Sequence, residues 1–587
     1  MELLAVDRCG RDLALRDGLH EGGVIVEMIG KIIPAGGWIR GYDRRNLRND
    51  VLAGIIVAVM LVPQGMAYAM LAGLPPVIGL YASTFPLIAY ALLGSSRQLA
   101  VGPVAMISLL VFSGLSKLAE PGSATYISLA LTLAFMVGLT QLAMGLFRMG
   151  SFSHFISHAV ISGFTSAAAI VIWLSQLNHL LGIDLSAKHS VAHVFVEAGK
   201  RIGETHGITL LIGLVSMAVL IIFKKKARRF PAPLLVVVGT TLAVYLFGLD
   251  RLGVRIVGSV PQGLPGFSVP AFELEAFGSL IPTALAILFV GFMESIAIAE
   301  SIATRERYAI DSNRELKGLG LANLVASFFS GYPVTGGLSR TAVNYQAGAR
   351  TRLASVVTAV FVIITVLSLT SLFRYLPKAV LAAIVMVAVM DMIDVREARH
   401  LFHVKRIDGW TMSVTFIATL FLDSQRGILL GVAFSLLVFI WRSAHPHTAE
   451  MGYLEEEGVF RNVKRFPQTK TFPEVLILRV DASLYFANMA FVENLLRQKI
   501  VDRPDLRYII LDLSGVNDID AVAIDILEEI MRGCREKGVN FLFAGMKGPV
   551  RDAVARAGWE GKYGERMEYL SIHHAVRDIG ISMLSSS

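Results

Sequence analysis

The sequence predicts a polytopic α-helical membrane protein that ends in a smaller, cytoplasmic α/β domain. Three observations support this fold class. Hydrophobic residues make up 54% of the 587 residues and charged residues only 17%, whereas soluble domains carry about 25% charge. Apolar blocks of about 17 to 25 residues, long enough to cross roughly 30 Å of hydrocarbon, recur from Val51 to Trp441. After Trp441, short apolar runs alternate with amphipathic stretches.

The N-terminal segment, residues 1–50, is expected to be cytoplasmic. It is polar and basic, and it lacks an apolar stretch followed by a small-residue cleavage site. No cleavable signal peptide is therefore predicted. The membrane domain is predicted over residues 51–443, beginning with a first span that inserts and stays.

About fourteen segments are predicted in this membrane domain. Two short blocks, residues 103–116 and 338–349, open with Gly102-Pro103 and Gly336-Gly337 and are predicted to be half-helices. The other blocks are predicted to span, and they lie at residues 51–73, 77–94, 125–147, 156–181, 207–223, 232–249, 281–301, 316–330, 353–373, 379–394, 409–423 and 427–443. An even number of segments places both termini on one side of the membrane.

The distribution of basic residues predicts which side that is. Loops after even-numbered segments contain 17 Lys and Arg residues when Lys317, at the start of the ninth segment, is included, whereas loops after odd-numbered segments contain 9. Because basic loops stay inside, both termini are expected in the cytoplasm of a cell whose inner (plasma) membrane holds the protein. The net charge of +8 then reflects topology, and no nucleic-acid partner is expected.

The two halves of the membrane domain, residues 51–250 and 281–443, are predicted to be inverted repeats. Residues 63–69 precede the first glycine break, and the similar residues 293–299 precede the second. Seven segments per half is an odd number, so the halves must have opposite orientations. Interrupted segments at corresponding positions of inverted repeats indicate a transporter site near the bilayer midplane.

The C-terminal domain, residues 452–583, is predicted to be α/β. The apolar runs at residues 473–480, 507–513 and 538–544 are typical of buried strands. Between and after them, residues 487–500, 521–537 and 549–557 have the pattern of amphipathic helices. Strands that alternate with helices predict a small α/β domain.

Two ionisable residues stand out inside the predicted apolar segments. Glu294 is in the middle of a span, and Arg340 lies in the first turn of the second half-helix. Charged groups are costly in hydrocarbon, so such residues are candidates for a functional site. The alternative is a buried Glu–Arg pair that only fixes packing, although such pairs stabilise poorly.

The two half-helices are predicted to bring their N-termini face to face. Helix N-termini offer unpaired N–H groups and a partial positive charge, which together attract an anion. The glycines could instead only allow close helix packing. The predicted anion-binding residues at these ends are Val104, Ala105, Leu338, Ser339 and Arg340.

Gln64 and Tyr68 complete the predicted anion site. They are four residues apart and share one face of the first span. Each alone is more often an interhelical contact, but both occupy the repeat position that corresponds to Glu294 and Ile298. No nucleotide-binding or metal-binding motif occurs, so neither a cofactor nor a metal is predicted, and the chain is not expected to be an enzyme.

The motifs resemble those of the sulfate permease (SulP) anion transporters with a C-terminal STAS domain. The resemblance is carried by residues 62–69, 102–105, 157–168, 337–344 and 511–523. It implies fourteen segments arranged as a core and a gate domain, usually in a homodimer, with an anion bound between the third and tenth segments. It also implies binding roles for Gln64, Tyr68, Ser339 and Arg340, and an acidic position at Glu294.

Two positions depart from the family pattern. Ala159 stands where members commonly carry proline. Residues 518–523 contain no hydroxyl, whereas bacterial relatives of the STAS domain carry a phosphorylated serine there, so no phosphorylation switch is expected at that position.

Secondary active transport of a small anion is therefore the leading hypothesis, with sulfate, bicarbonate and dicarboxylates all open. Proton symport through Glu294 is expected, because burial disfavours the charged carboxyl whereas Arg340 favours it. Sodium-coupled bicarbonate symport, anion exchange, an anion channel and a non-transporting sensor remain alternatives. A cytoplasmic protein is a further possible partner, through the STAS domain.

Overall fold

The computed structural model describes residues 42–151, 157–184, 191–226, 231–270, 274–564 and 569–580. The chain forms two compact units, Met1–Ser435 and Leu436–Ser587. Most of the predicted N-terminal segment lies outside the described residues. The predicted domain limits at residues 51, 443 and 452 remain predictions.

The first unit is helical, and its first half contains the first predicted repeat. A 3₁₀ turn, Arg44–Asn46, precedes the first helix, and another, Ile202–Glu204, follows α8. The helices are α1 (Leu47–Leu71), α2 (Pro76–Tyr81), α3 (Phe85–Leu93), α4 (Ala105–Leu115), α5 (Ala124–Leu146), α6 (His158–Ser175), α7 (Leu177–Leu181), α8 (Val191–Lys200), α9 (Gly207–Lys226) and α10 (Ala232–Phe247).

The second half of this unit has a comparable series of helices. After α14 the chain continues through a π-helix, Thr365–Leu369, and a 3₁₀ turn, Thr370–Phe373; another 3₁₀ turn, Met390–Met392, follows α15. The helices are α11 (Leu274–Glu306), α12 (Ser312–Phe328), α13 (Leu338–Gln346), α14 (Leu353–Ile364), α15 (Lys378–Val389), α16 (Val395–Val404), α17 (Arg406–Phe421) and α18 (Ser424–Ala444).

Each predicted segment coincides with one helix or with a pair of consecutive helices. The helical, membrane-type fold is confirmed, because eight helical stretches in the described part of the chain are long and apolar enough to cross a membrane. The number of crossings stays a prediction. Residues 103–116 and 338–349 contain short helices of 11 and 9 residues, α4 and α13, as expected for half-helices.

Two helices of the first unit were not predicted. Helix α8 lies between the predicted fifth and sixth segments, and α16 lies between the predicted twelfth and thirteenth segments. Both are ten residues long. In α16 charged residues are interspersed with apolar ones at helical spacing. The helix therefore contains no continuous apolar block, which is the feature from which the segments were predicted.

Close helix packing in the first unit depends on glycine. A Cβ on Gly138 of α5 would lie 2.6 Å from the Leu324 amide nitrogen of α12, and a Cβ on Gly320 would lie 2.6 Å from that of Leu142. Neither helix could carry a side chain at its contact point. Such small residues allow backbones to approach closely where no hydrophobic effect drives helices together.

The second unit contains a five-stranded mixed sheet in the order β4-β3-β5-β6-β7. The two short strands β1 and β2 belong to the first unit. Strands β5, β6 and β7 are parallel, whereas β3 and β4 form an antiparallel hairpin at one edge. The strands are β1 (Val101–Gly102), β2 (Thr335–Gly336), β3 (Thr448–Leu454), β4 (Val459–Asn462), β5 (Val475–Val480), β6 (Tyr508–Asp512) and β7 (Asn540–Ala544).

The predicted α/β character of this unit is confirmed, and the three predicted strands match β5, β6 and β7 to within two residues. The three predicted helices match α19, α20 and α21. The hairpin β3–β4 and helices α22 and α23 were not predicted. The helices are α19 (Phe486–Val501), α20 (Ala521–Glu536), α21 (Gly548–Arg556), α22 (Trp559–Tyr563) and α23 (Ile572–Asp578).

Candidate anion site

A two-residue antiparallel ladder brings the two glycine breaks together. Val101 pairs with Gly336, and Gly102 pairs with Thr335. Helices α4 and α13 each begin two or three residues after this ladder. Neither helix has a side-chain cap at its N-terminus, and the first N–H groups of a helix have no intrahelical acceptor. The ladder therefore places two sets of free donors close together.

Further hydrogen bonds fix α13 against the first break. The Gly337 amide donates to the Ala100 carbonyl at 3.1 Å, and the Ala100 amide donates to Thr341 Oγ1 at 3.0 Å. Asn344 Nδ2 donates to the Gln98 carbonyl at 2.8 Å. Three successive contacts thus hold the short helix in a set orientation.

Arg340 folds back from α13 across both breaks. Its Nη1 donates to the Pro103 carbonyl at 2.6 Å, while Nε and Nη2 have no hydrogen-bond partner. The side chain is 1% exposed. A Cβ on Gly337 would lie 2.7 Å from Arg340 Nη2, so glycine at that position leaves the room that the guanidinium occupies. A buried cation with two unused donors is a strong candidate for anion binding.

Glu294 lies on α11 beside the second break. The next residue, Ser295, accepts from the Gly336 amide at 2.9 Å and bonds Thr335 Oγ1 at 2.7 Å, which joins α11 to β2. Glu294 Oε2 is buried without a partner. Among the described residues, no hydrogen bond or ion pair joins Glu294 to Arg340, although the two charges interact through space. This arrangement does not favour the alternative of a packing pair.

Gln64 and Tyr68 lie on α1, and both side chains are 4% exposed. Gln64 Oε1 is buried without a partner, and Tyr68 is within electrostatic range of Arg340 and Glu294. The predicted residues on α1, α11 and α13 are thus neighbours. Unpartnered polar atoms of Gln64, Glu294 and Arg340 concentrate in this one region.

A cavity of about 580 Å³ reaches the site from one side. Gln64 and Ser339 line it, together with Lys224 and Lys225 near the end of α9 and Asp391 just after α15. Lys224 Nζ lies 2.6 Å from Asp391.

The remaining predicted residues differ in their access to this cavity. Leu338 is 60% exposed, whereas Val104 and Ala105 are 6% and 7% exposed. Of the predicted anion-binding residues, Gln64 and Ser339 line the cavity. Arg340 and the two residues at the N-terminus of α4 are not among the lining residues.

The sequence analysis missed two polar residues of this region. Tyr332 is fully buried, its hydroxyl lies 2.9 Å from Ser108 Oγ, and it interacts with Arg340. Asn344 Oδ1 is buried without a partner. Ser108 lies about one turn into α4 and Asn344 nearly two turns into α13. Polar residues within two turns of each helix start were therefore the available signal.

Metal binding finds no support in the geometry. In the described ranges, no group of three or more His, Cys, Asp and Glu side chains is arranged to hold a metal ion. The unpartnered atoms at the site include both nitrogen donors and carboxylate and amide oxygens. The donors suit an oxyanion.

Comparisons with known proteins agree with the fold. The description "Sulfate permease family" matches residues 47–415, and "STAS domain" matches residues 466–568. The chain is 38% identical over 573 residues to "Sulfate transporter 4.1, chloroplastic" of Arabidopsis thaliana, covering 94% of this chain and 83% of the relative. It is 33% identical to "High affinity sulfate transporter 2" of Stylosanthes hamata, covering 94% and 86%.

Solved structures show the same similarity. The murine Slc26a9 anion transporter in the inward-facing state superposes with a TM-score of 0.87 at 27% identity, covering 98% of this chain and 99% of that chain. The transmembrane domain of the cyanobacterial bicarbonate transporter BicA superposes with a TM-score of 0.58 at 25% identity, covering 67% and 98%.

Proposed function

Because the chain belongs to the sulfate permease family and carries a STAS domain, we propose that it is a secondary active transporter whose substrate is sulfate. Anion transport is the activity of the family to which the chain belongs. Sulfate is the first candidate among sulfate, bicarbonate and dicarboxylates, because the similar plant proteins are named as sulfate transporters.

The unused donors of Arg340 are the observation that carries this proposal. Nε and Nη2 are buried and unpartnered, and they lie where the N-termini of α4 and α13 meet. Each helix N-terminus contributes about +0.5 charge. Together with the arginine, the site offers about +2, which matches a dianion such as sulfate.

Glu294 supplies the proposed coupling to protons. When its carboxyl is ionised, the local charge of about +2 falls to about +1; protonation restores it. A dianion therefore binds more favourably together with a proton, and linkage requires that the proton also binds more favourably with the anion. Proton and anion would then move together.

Alternating access is proposed as the transport cycle. The cavity connects Gln64 and Ser339 to the side of Lys224 and Lys225, and the whole chain superposes on a transporter in its inward-facing state. In the proposed cycle, the helices that carry the site move so that it opens to the other side. By the same family likeness, a homodimer in the plasma membrane with both termini cytoplasmic is proposed.

Sodium-coupled bicarbonate transport is the second candidate, favoured by the similarity to BicA. A sodium site needs several oxygen ligands. Glu294 Oε2 is available, but Ile298, one turn later, offers no side-chain ligand, and Arg340 would repel a nearby cation. Proton coupling is therefore preferred.

Proteoliposomes test the two candidates directly. Purified protein is reconstituted, and uptake of radiolabelled sulfate is compared with that of bicarbonate under an inward proton gradient without sodium, and under a sodium gradient without a proton gradient. The proposal expects sulfate accumulation that follows the proton gradient. Accumulation of bicarbonate that requires sodium would replace it with the second candidate, and dissipation without accumulation would indicate a channel.

A further inference from the structure

A second cavity, of about 600 Å³, lies between α1, α10 and the stretch of residues 361–375. We call it the apolar crevice. On α1 it is lined by Ala58, Val59, Val62 and Pro63, whereas the anion cavity is lined by Met60 and Gln64. At 3.6 residues per turn, these two sets point to opposite sides of α1. The crevice is therefore distinct from the anion cavity, and the two are lined by opposite faces of α1.

The depth of the crevice matches one leaflet of a bilayer. Its lining residues on α10 run from Leu234 to Tyr245, a rise of about 16 Å at 1.5 Å per residue. Half of the roughly 30 Å hydrocarbon core is about 15 Å. Val238 and Leu242 in its wall are 56% and 53% exposed, so the crevice opens sideways to the space that lipid fills.

One end of the crevice has the features of a membrane interface. The Tyr245 and Tyr375 rings pack with centroids 5.3 Å apart, and tyrosine is enriched at headgroup depth. Between the lining residues Phe373 and Tyr375, Arg374 places its guanidinium 5.7 Å from the Tyr375 ring. In the described part of the chain, no carboxylate pairs with Arg374. A cation at this level attracts an anionic headgroup.

Thr241 provides a polar group below that interface. Its Oγ1 is buried without a hydrogen-bond partner, although the neighbouring Thr240 Oγ1 donates to the Val236 carbonyl at 2.6 Å. Thr241 lies one turn, about 6 Å, below Tyr245. This is the depth at which the ester carbonyls of a phospholipid follow its headgroup, and a hydroxyl can donate to such a carbonyl.

We propose that the apolar crevice is a binding site for one anionic phospholipid. Arg374 pairs with its phosphate, the Thr241 hydroxyl donates to an ester carbonyl, and one acyl chain lies along α10 and reaches Val62. The acyl chain then supports the face of α1 that is opposite to Gln64. This inference does not depend on the transported anion.

Photo-cross-linking and native mass spectrometry test the site on the full-length protein. The probe is phosphatidylglycerol with a photoactivatable group in one acyl chain, and phosphatidylcholine with the same group is the comparison. For the wild-type protein, we expect cross-links in peptides that contain residues 234–245 or 361–375, with phosphatidylglycerol preferred. Thr241→Phe fills the crevice and should reduce this cross-linking by about tenfold or more.

Two neighbouring residues provide matched controls. Thr240→Phe adds the same bulk on the adjacent position outside the crevice, and it should retain the cross-linking. Arg374→Gln should reduce retention of phosphatidylglycerol by about fivefold, the effect of one basic residue at a headgroup, whereas Arg251→Gln should not. Wild-type cross-links that map elsewhere, equal labelling by the two lipids, or equal loss in Thr240→Phe and Thr241→Phe would each overturn the proposal.

Discussion

Arg340 contributes the only full positive charge at the junction of α4 and α13 that the described residues show. Arg340→Ala is expected to weaken sulfate binding by about 2 to 5 kcal/mol, or roughly 30-fold and more, because a desolvated anion loses its counter-charge. Isothermal titration or scintillation proximity binding to purified protein measures this. Arg350→Ala is the control, since Arg350 pairs with Glu306 at 3.1 Å. An unchanged dissociation constant in Arg340→Ala would contradict the assignment of Arg340 as an anion-binding residue.

Gly337 controls the position of that arginine. In Gly337→Ala the new Cβ would lie 2.7 Å from Arg340 Nη2 and 2.9 Å from its Cζ, so the guanidinium must move. Its φ of −106° suits alanine, so any effect comes from contact and not from backbone strain. We expect about tenfold weaker sulfate binding, because the displaced guanidinium no longer presents its free donors to the anion.

Gly266→Ala controls for this substitution, because a Cβ there meets nothing within 4 Å. The melting temperatures of both variants should remain close to that of the wild type. If Gly337→Ala binds sulfate as the wild type does, the guanidinium does not need its observed position.

Glu294 is expected to make sulfate binding depend on pH. If the protonated carboxyl accompanies the anion, wild-type affinity falls as the pH rises through the range in which Glu294 loses its proton. Glu294→Gln resembles the protonated form and should bind sulfate with little pH dependence, while losing accumulation driven by a proton gradient. Glu300→Gln, two turns further along α11 and exposed, should behave as the wild type. A full gradient response in Glu294→Gln would contradict the coupling role.

The same residues show what the sequence could and could not predict at this scale. Glu294 and Arg340 were predicted because a charge inside an apolar segment is costly and therefore conspicuous. The bond from Arg340 to Pro103 and the contact of Tyr332 with Ser108 were not. These pairs are separated by 237 and 224 positions, and no local pattern specifies which distant residues meet.

At the scale of elements, the half-helices followed from glycine at a break and from a length too short to span. The ladder of β1 and β2 that aligns them has two residues per strand, too few for any periodicity to be detected.

Hairpin β3–β4 was missed for another reason. It forms a sheet edge, where one face is exposed and charged residues such as Glu450 and Arg461 interrupt the apolar pattern.

The end of α9 allows a test of the cavity as the anion pathway. Lys225 and Lys226 are adjacent and both exposed, but of these two residues Lys225 lines the cavity and Lys226 does not. Lys225→Gln should slow sulfate association by about two- to tenfold at low salt, since a charge at a cleft raises local anion concentration. Lys226→Gln should have a smaller effect, and both effects should shrink at high salt.

Asp391 should act in the opposite direction. Asp391→Asn removes the partner that lies 2.6 Å from Lys224, so Lys224 becomes available to the anion and association should become faster. Stopped-flow or rapid-filtration measurements across a range of ionic strength would show both the slower association of Lys225→Gln and the faster association of Asp391→Asn. Equal effects of Lys225→Gln and Lys226→Gln would mean that the anion does not enter through this cavity.

At the scale of the whole molecule, composition and the position of apolar blocks predicted both units, since a membrane-spanning chain and a water-exposed α/β domain have different hydrophobic periods. The observed division falls between Ser435 and Leu436, within α18 (Ser424–Ala444), which is a single continuous helix. Because the helix continues through this division, its apolar pattern is uninterrupted there and the sequence does not mark it. The boundary at residue 443 was predicted from the end of the apolar block.

Removing the C-terminal unit tests whether the first unit contains the whole site. Every candidate residue, from Gln64 to Arg340, precedes residue 350, and the unpartnered atoms of Gln64, Glu294 and Arg340 lie together in the first unit. A chain that ends near residue 450 should therefore bind sulfate with an affinity within about threefold of that of the full-length protein. The reason is that removing a distant part of a protein has little effect on a site whose own contacts are unchanged. Turnover, expression or dimerisation could fall without affecting this expectation.

Binding is measured on a truncated protein that elutes as a single species and melts cooperatively, with Arg340→Ala in the same truncation as the negative control. Loss of binding by such a well-folded truncation would show that the STAS domain helps to form or to hold the anion site.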